Sequence, residues 1–148
     1  MTIPAFIKTS SADETRNLGK DLAQTLSENP QLPRFVAMFG DLGVGKTAFV
    51  NGFITSLIPD ARVKSPTFAL VHEYRAATPI FHFDMYRIED EDELESIGFY
   101  DYFDRRGFML CEWCENIPYA LPEKRIEVTI VKDDLNTPDS RTISIKLA

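Results

Sequence analysis

The chain has 148 residues, a formal net charge of -7 and a hydrophobic fraction of 44%, which excludes wholesale disorder and a core that depends on disulfides or metal. Its longest apolar runs, such as Phe35–Phe39, are much too short to cross a bilayer, and the first residues lack a signal-peptide pattern, so we expect a cytoplasmic protein. The acidic balance disfavours a direct grip on nucleic acid, since polyanions are normally held by clustered Lys and Arg.

The first predicted helix begins at a capping box. Ser11 and Glu14 stand three residues apart, so the hydroxyl and the carboxylate can each satisfy a free backbone donor at the helix start. Leu18, Leu22 and Leu26 follow at four-residue spacing and place one face of the helix against a core. We expect the helix to end before Pro30.

A strand, a glycine-rich loop and a second helix follow. The continuous apolar run Phe35–Phe39 is bounded by a proline and a glycine, which is typical of a strand buried on both faces and therefore parallel to its neighbours. Apolar residues recur every four positions from Phe49 to Leu57, which predicts a helix that ends at Pro59.

The middle of the chain predicts a hairpin and a short helix. A loop around Ser65–Thr67 leads into a strand that ends near Tyr74, and Ile80–Asp84 forms a second strand that pairs with it. The acidic stretch Glu89–Glu95 opens a short helix, which ends at Gly98.

Three further strands complete the predicted sheet. They are Phe108–Glu112, Arg125–Lys132 and Thr142–Leu147, and a polar loop from Asp133 to Arg141 joins the last two. The sequence contains no internal repeat and no linker that would divide it. Residues 1–148 therefore predict one α/β domain with a mixed sheet.

The glycine-rich loop has the spacing of a phosphate-binding loop, G-x-x-x-x-G-K-T. Its glycines let backbone N–H groups converge on phosphate oxygens, Lys46 reaches the β and γ phosphates, and Thr47 ligates magnesium. The alternative is a plain glycine turn with a solvated lysine, but the strand before and the helix after favour nucleotide binding. We therefore expect a P-loop NTPase-type three-layer sandwich with a mixed, largely parallel central sheet. The predicted nucleotide-binding residues are Gly40, Asp41, Leu42, Gly43, Val44, Gly45, Lys46 and Thr47.

Two acids stand where apolar strands end, Asp84 and Glu112. Hydrolysis or phosphoryl transfer needs a carboxylate that holds magnesium or its waters at this edge of a sheet, although either acid alone could simply cap a loop. Thr67 lies in the loop after the second helix, where it is either a nucleotide-sensing switch residue or a turn residue after proline. His82 is interpreted as a packed strand residue rather than as a base.

Cys111 and Cys114 have the C-x-x-C spacing of redox and zinc motifs. A redox cysteine needs a helix N-terminus to lower its pKa, whereas Cys111 ends an apolar strand. Zinc would need further ligands, and only His72 and His82 remain to supply them. We therefore favour two reduced thiols in the core of a cytosolic protein.

Four motifs, in order along the chain, resemble those of the bacterial TsaE (YjeE) ATPase family. They are Gly-Asp-Leu-Gly-x-Gly-Lys-Thr at 40–47, Val-Lys-Ser-Pro-Thr-Phe at 63–68, His-Phe-Asp-x-Tyr-Arg at 82–87 and Glu-Trp at 112–113. The resemblance covers nearly the whole chain. The family usually has an aliphatic residue before Glu-Trp and often a proline after it, where this chain has Cys111 and Cys114.

The resemblance implies a small ATPase of the pathway that places threonylcarbamoyl on the adenosine next to the tRNA anticodon. In that pathway TsaC makes the activated threonylcarbamoyl-adenylate, TsaD transfers it with TsaB, and ATP hydrolysis by TsaE resets the complex. Carried over by position, Thr47 and Glu112 are magnesium ligands, Asp84 is the Walker B-type acid and Thr67 is the switch residue. The residues implied to lie near the nucleotide are Trp113, Thr15 and Arg141, the last two at the base or ribose.

Three other functions remain open. The same loop serves P-loop small-molecule kinases, but this chain leaves little length for an acceptor pocket and a lid, for which Arg105–Arg106 is the only candidate pair. A GTPase is disfavoured because the guanine-reading Asn-Lys-x-Asp motif is missing. The third possibility is a scaffold protein that binds nucleotide without hydrolysing it, and a phosphate-release assay with and without partners would distinguish it from an enzyme. The predicted partner is a TsaB-TsaD-type complex, with tRNA reached only indirectly, no membrane contact, and an open oligomeric state.

Overall fold

The structure, a computed structural model, describes residues 1–40, 45–66, 69–134 and 137–148. Within these ranges seven strands form one sheet in the order β1-β7-β6-β2-β5-β4-β3. The strands are β1 (Ala5–Thr9), β2 (Phe35–Phe39), β3 (Val71–Tyr74), β4 (Ile80–Asp84), β5 (Phe108–Glu112), β6 (Ile126–Asp134) and β7 (Thr137–Leu147). The helices are α1 (Ala12–Glu28), α2 (Lys46–Leu57) and α3 (Glu91–Ser96).

The sheet is parallel at its centre and antiparallel towards both edges. Strands β6, β2, β5 and β4 run parallel to their neighbours in this group, whereas β1 with β7, β7 with β6, and β3 with β4 pair antiparallel. The predicted mixed sheet is confirmed, but "largely parallel" is wrong, because only half of the neighbouring pairs are parallel. Short connections such as those of β3–β4 and β6–β7 can join only antiparallel neighbours.

Strands β2, β4 and β5 were predicted with their correct bounds, whereas β1, β6 and β7 were not. Strand β1 was missed because Phe6 points to solvent with 74% exposure and breaks the alternation of apolar and polar residues. The loop predicted from Asp133 to Arg141 is wrong. There β6 and β7 continue as a ribbon, in which Lys132 pairs with Arg141. Its residues on both strands are largely exposed, so the ribbon lacks the apolar face by which a strand is recognised.

The caps of the helices form as the sequence predicts. The Ser11 hydroxyl accepts the Glu14 N–H (3.1 Å), and the Glu14 carboxylate accepts the N–H of Ser10 (2.6 Å). The short helix α3 is capped in the same way by Asp90, and it is followed by Gly98 in a left-handed conformation. None of the helices in the described ranges has the length and apolar character that crossing a membrane requires.

Two hydrophobic cores lie on opposite faces of the sheet, since alternate residues of β2 belong to different clusters. Val36 and Met38 pack with α1 and α2, whereas Phe35 and Ala37 pack with α3 and the 3-10 helix Phe99–Asp104. Helices therefore cover both faces, which gives the three layers that we expect of such a sheet.

Helices α1 and α2 touch backbone to backbone at two glycines. A Cβ on Gly19 would overlap the carbonyl oxygen of Phe49, and a Cβ on Gly52 would overlap that of Arg16. The contact is reciprocal, so it fixes both the separation and the register of the two helices. Because α2 begins at Lys46, the same contact fixes where this lysine lies relative to the sheet.

Candidate functional site

The carboxyl ends of β4 and β5 bring two buried acids together beside the start of α2. Asp84 and Glu112 are the last residues of these parallel strands and are direct register partners. Each is only 8% exposed. The acids predicted from separate stretches of sequence therefore form one pair, at the edge of the sheet where ligands bind in open α/β folds.

Glu112 is held by a histidine from the neighbouring strand. His82 Nε2–H donates to Glu112 Oε2 at 2.6 Å, and His82 is 2% exposed. Its Nδ1 is buried and has no hydrogen-bond partner among the described residues. His82 is packed in its strand, as predicted, but its bond to Glu112 was missed. The available signal was the spacing of His82 and Asp84, which alternation places on one face of β4.

Asp84 is crowded by its surroundings. Its Oδ1 accepts the N–H of Tyr86 at 2.9 Å. Burial, together with the nearby charge of Glu112, raises the pKa of Asp84 above its usual value, although the Tyr86 hydrogen bond, His82 and Lys46 act in the opposite direction. A cation placed between the two acids would relieve this crowding.

Lys46 lies between a backbone carbonyl and an indole ring. Its Nζ donates to the Gly40 carbonyl at 2.6 Å and stands 4.0 Å from the centre of the Trp113 ring, and the residue is 5% exposed. Trp113 reaches this position through a left-handed backbone (φ 59°) directly after Glu112, and its ring packs on Tyr86 at 4.9 Å. Such a conformation is uncommon for a bulky residue and is often found at functional sites.

A small cleft of about 60 Å³ lies on the other side of the α2 start. Thr15 and Arg141 line it, and both approach the position that a Cβ of Gly45 would occupy (3.8 Å). Gly45 has φ 100°, a conformation that favours glycine. The Thr15 hydroxyl shares a hydrogen bond with Thr9 at 2.8 Å, and the Arg141 guanidinium donates to the Ser140 carbonyl at 2.9 Å.

Most of the predicted site residues within the described ranges fall into two sets. Gly40, Lys46, Asp84, Glu112 and Trp113 meet around the acid pair, whereas Thr15, Gly45 and Arg141 meet at the cleft. Thr47 is exposed in the first turn of α2. Five others, whose roles stay predictions, lie outside the described residues: Asp41, Leu42, Gly43, Val44 and Thr67.

Two residues missed by sequence reasoning organise the loops around the acids. The Glu115 carboxylate accepts the N–H of Gly40 at 3.0 Å, and Asn116 Nδ2 donates to the carbonyls of Met85 and Tyr86 at 2.9 and 3.1 Å. These bonds tie the segment after β5 to the ends of β2 and β4. They join residues distant in sequence, so no local pattern signals them.

The two cysteines are core residues. Cys111 and Cys114 are free and buried, which confirms the interpretation as reduced thiols. The Cys114 thiol donates to the Cys111 carbonyl at 3.0 Å, and burial raises the pKa of Cys111 well above its usual value. A thiol held protonated in this way is a poor nucleophile.

The fold and the site define a single-sheet α/β protein in which two strand-end acids converge with Lys46, the residue that begins α2. The sequence model of one family, "Threonylcarbamoyl adenosine biosynthesis protein TsaE", matches residues 9–143. The chain therefore belongs to the TsaE family, which takes part in tRNA threonylcarbamoyladenosine biosynthesis.

Individual relatives agree with this assignment. The chain is 40% identical to the tRNA threonylcarbamoyladenosine biosynthesis protein TsaE of Haemophilus influenzae over 129 residues, which cover 86% of this chain and 79% of that protein. It is 34% identical to the Nostoc protein of the same name, with 100% and 96% covered. The crystal structure of Bacillus subtilis YdiB superposes with a TM-score of 0.72 at 28% identity, covering 100% of this chain and 88% of that one.

Proposed function

We propose that this chain is a magnesium-dependent ATPase of the P-loop type that couples hydrolysis to turnover of a TsaB-TsaD complex in tRNA threonylcarbamoyladenosine formation. The observation that carries the proposal is the position of Lys46, at the start of α2 and beside the buried acids Asp84 and Glu112. A buried lysine next to two buried acids, at the ligand-binding edge of a parallel sheet, suits the charges of a nucleotide with its metal.

The triphosphate would lie between the glycine-rich loop and the start of α2. There Lys46 would exchange its bond to the Gly40 carbonyl for phosphate oxygens, aided by the N–H groups and the dipole of α2. Trp113, whose ring already contacts the lysine ammonium, would then report on nucleotide through its fluorescence. Thr15 and Arg141 would border the base or ribose, since both line the cleft at Gly45.

The acid pair fits a magnesium ion, because carboxylate oxygens are the ligands that magnesium prefers and because a cation would relieve the crowding that raises the pKa of Asp84. Glu112 and Thr47 would hold the ion, and Asp84 would orient its waters or the attacking water. When bound, magnesium supplies charge neutralisation at the β and γ phosphates. Thr67 would sense the γ-phosphate from its loop.

A protein partner would complete the site. The sequence offers no recognisable arginine finger, a group commonly worth about a thousandfold in rate or more. A chain with a net charge of -7 is also poorly suited to grip tRNA by itself. Both points support docking on a complex that carries the RNA.

The test compares phosphate release and repeated tRNA modification by this chain alone, by TsaB-TsaD alone and by the mixture. We expect slow hydrolysis alone and stimulation in the mixture, and we expect Lys46→Ala to abolish both activities. The matched control is Lys20→Ala, because Lys20 is exposed on α1. Full hydrolysis by the isolated chain, or undiminished turnover without it, would reject the coupling. If the γ-phosphate is transferred to a small-molecule acceptor instead of being released as inorganic phosphate, the result would favour the P-loop small-molecule kinase.

A further inference from the structure

A second cleft opens at the opposite edge of the sheet, where β2 and β5 begin, and has a volume of about 270 Å³. We call it the basic cleft. Its walls are apolar side chains, among them Phe35, Phe103 and Met109, and two cationic side chains also line it, namely Arg106 and Lys124. Strands β2 and β5 run from this cleft to the acid pair, and five residues of strand span about 17 Å. The two sites therefore do not overlap.

The two cations of the basic cleft have no carboxylate partner among the residues that the structure describes. None of the lining residues is acidic. Within the described part of the chain, the side chains of Arg106 and Lys124 make no ion pair or hydrogen bond. The neighbouring Arg34 does not add a charge to the cleft, because its guanidinium lies over the Phe108 ring, at 5.4 Å, on the other face of the sheet. By contrast, the adjacent Arg105 is paired with Glu73 at 2.5 Å. Two uncompensated positive charges beside one concave surface attract an anionic ligand.

The cleft also offers an apolar contact surface. Phe103 lies parallel to Phe35 with 5.7 Å between ring centres, yet Phe103 remains 40% exposed. The volume is just below the usual range for small-molecule pockets, and it matches one large side chain better than an extended ligand. Buried aromatic anchors that fill such pockets commonly dominate the energy of protein interfaces.

The loop that carries Arg106 is fixed before any ligand arrives. Arg106 has a left-handed backbone (φ 22°), and a Cβ on the following Gly107 would come within 2.7 Å of the Phe81 ring and of the Pro79 carbonyl. Only glycine allows this close approach, so the turn is held in one place. A preorganised cleft loses less entropy when it binds.

From these observations we propose that the basic cleft is a docking site for an acidic segment of a protein partner. One large apolar side chain of the segment would enter between Phe103 and Met109, and flanking Asp or Glu residues would pair with Arg106 and Lys124. A protein segment is favoured over nucleic acid because the cleft accommodates a single large side chain, whereas nucleic acid is normally held along its backbone by a longer row of cations. This docking does not depend on ATP binding at the other edge.

Three short synthetic peptides of equal length test the proposal by fluorescence anisotropy and by amide shifts of the ¹⁵N-labelled protein. One is acidic with a central Phe, one is acidic with a central Ser, and one is basic with a central Phe. We expect the first to bind and the other two to bind at least about tenfold more weakly, because burying a Phe and pairing charges each contribute about 1.4 kcal/mol or more. Shifts should centre on Arg106, Gly107 and Lys124, and the affinity should fall with salt.

Charge reversal supplies the matched comparison. The double variant Arg106→Glu with Lys124→Glu should bind the acidic peptide with central Phe at least about tenfold more weakly. A control with the same change in net charge, Lys20→Glu with Arg75→Glu, alters two exposed cations elsewhere and should leave the affinity within about twofold. The proposal would be overturned by any of three results. The two double variants could lose affinity equally, the acidic Phe peptide could fail to bind at millimolar concentration, or a single-stranded RNA could bind more tightly at the same residues.

Discussion

His82 and Glu112 form a 2.6 Å hydrogen bond in a region that is almost closed to water. A carboxylate held in this way has one oxygen committed to the imidazole, so its other oxygen is aimed in a defined direction. Partners of this kind orient metal ligands and raise their affinity. If Glu112 binds magnesium as proposed, His82 is therefore a positioning residue that does not itself touch the ion.

His82→Ala should lower the affinity of the ATP-bound protein for magnesium by about 10- to 100-fold, because Glu112 loses the donor that orients it. His82→Gln, which restores an N–H donor, should recover part of this loss. The measurement is a magnesium titration of Trp113 fluorescence with ATP present. His72→Ala is the control, since His72 lies on the adjacent strand, where its Nδ1 is 3.2 Å from the Lys64 carbonyl oxygen. An unchanged magnesium midpoint in His82→Ala would remove the positioning role.

The thiols of Cys111 and Cys114 should resist alkylation in the folded protein. Reaction needs the thiolate, and burial raises the pKa of Cys111 well above its usual value. At pH 8 we expect iodoacetamide to label neither cysteine until urea unfolds the chain. Ser27→Cys, at an exposed position of α1, serves as the control and should react at once. Rapid native labelling of Cys111 or Cys114 would instead indicate an accessible, reactive thiol.

At the scale of elements, helix α2 packs backbone to backbone against α1. The contacts of Gly19 with Phe49 and of Gly52 with Arg16 are backbone contacts, so neither side can yield by changing a rotamer. They hold Lys46 at one end of α2 and bring Thr15 of α1 next to Gly45. The packing of two helices thus determines the geometry of both parts of the candidate site.

Gly52→Ala should destabilise the protein by about 1–3 kcal/mol or more, although alanine is the better helix former, because the new methyl group would force the two helices apart. It should also weaken ATP binding, since Lys46 moves with α2. Urea unfolding and a Trp113 titration measure the two effects. Lys20→Ala, at an exposed position of α1, controls for propensity and should change neither. A Gly52→Ala protein as stable as the parent would mean that the helices separate without cost.

How much of each element could be predicted follows from its position in the sheet. Strands β2, β4 and β5 are buried on both faces, so their sequences are continuous apolar runs with clear ends. At the edges, β1 and the β6–β7 ribbon are half exposed, and their composition resembles that of loops. Sequence patterns identify a strand by the apolar surface it buries, and an edge strand buries little.

The candidate site divides in the same way. Lys46, Asp84 and Glu112 could be predicted because each terminates or begins an element with a clear pattern. The bond between His82 and Glu112 depends on the register of β4 against β5, which no single stretch of sequence encodes. The approach of Arg141 to Gly45 likewise depends on how β7 and the start of α2 come together, and only family resemblance signalled it.

At the scale of the whole molecule, four ionisable groups are buried in one corner of a small protein: Lys46, His82, Asp84 and Glu112. Burying charge costs free energy that the rest of the fold must offset. The two hydrophobic cores on either side of the sheet supply that stability. If this corner binds magnesium-ATP, the free-energy cost of burying these charges applies to the unliganded protein, and the charges of the bound metal and phosphates offset it.

Asp84→Asn should therefore stabilise the unliganded protein at neutral pH while it slows ATP hydrolysis. The pKa of Asp84 is raised in the folded state, chiefly by burial, so ionisation favours the unfolded chain. The cost is absent below the unfolded pKa of about 3.8 and grows as the pH rises through the folded pKa. The gain in unfolding temperature of Asp84→Asn should accordingly be larger at pH 7 than at pH 3.5.

Thermal unfolding across this pH range, with and without magnesium-ATP, measures both sides of the effect. Bound nucleotide should raise the unfolding temperature of the parent protein, since a ligand at a hundredfold excess over its Kd stabilises the fold by about 2.7 kcal/mol. The increase should be smaller for Asp84→Asn if Asp84 contributes to binding through the metal's waters. Asp21→Asn removes an exposed carboxylate of α1 and controls for net charge. If unliganded Asp84→Asn unfolds at a lower temperature than the parent at pH 7, the charged form of Asp84 stabilises the fold. In that case its role would be structural, as an acceptor for the Tyr86 N–H.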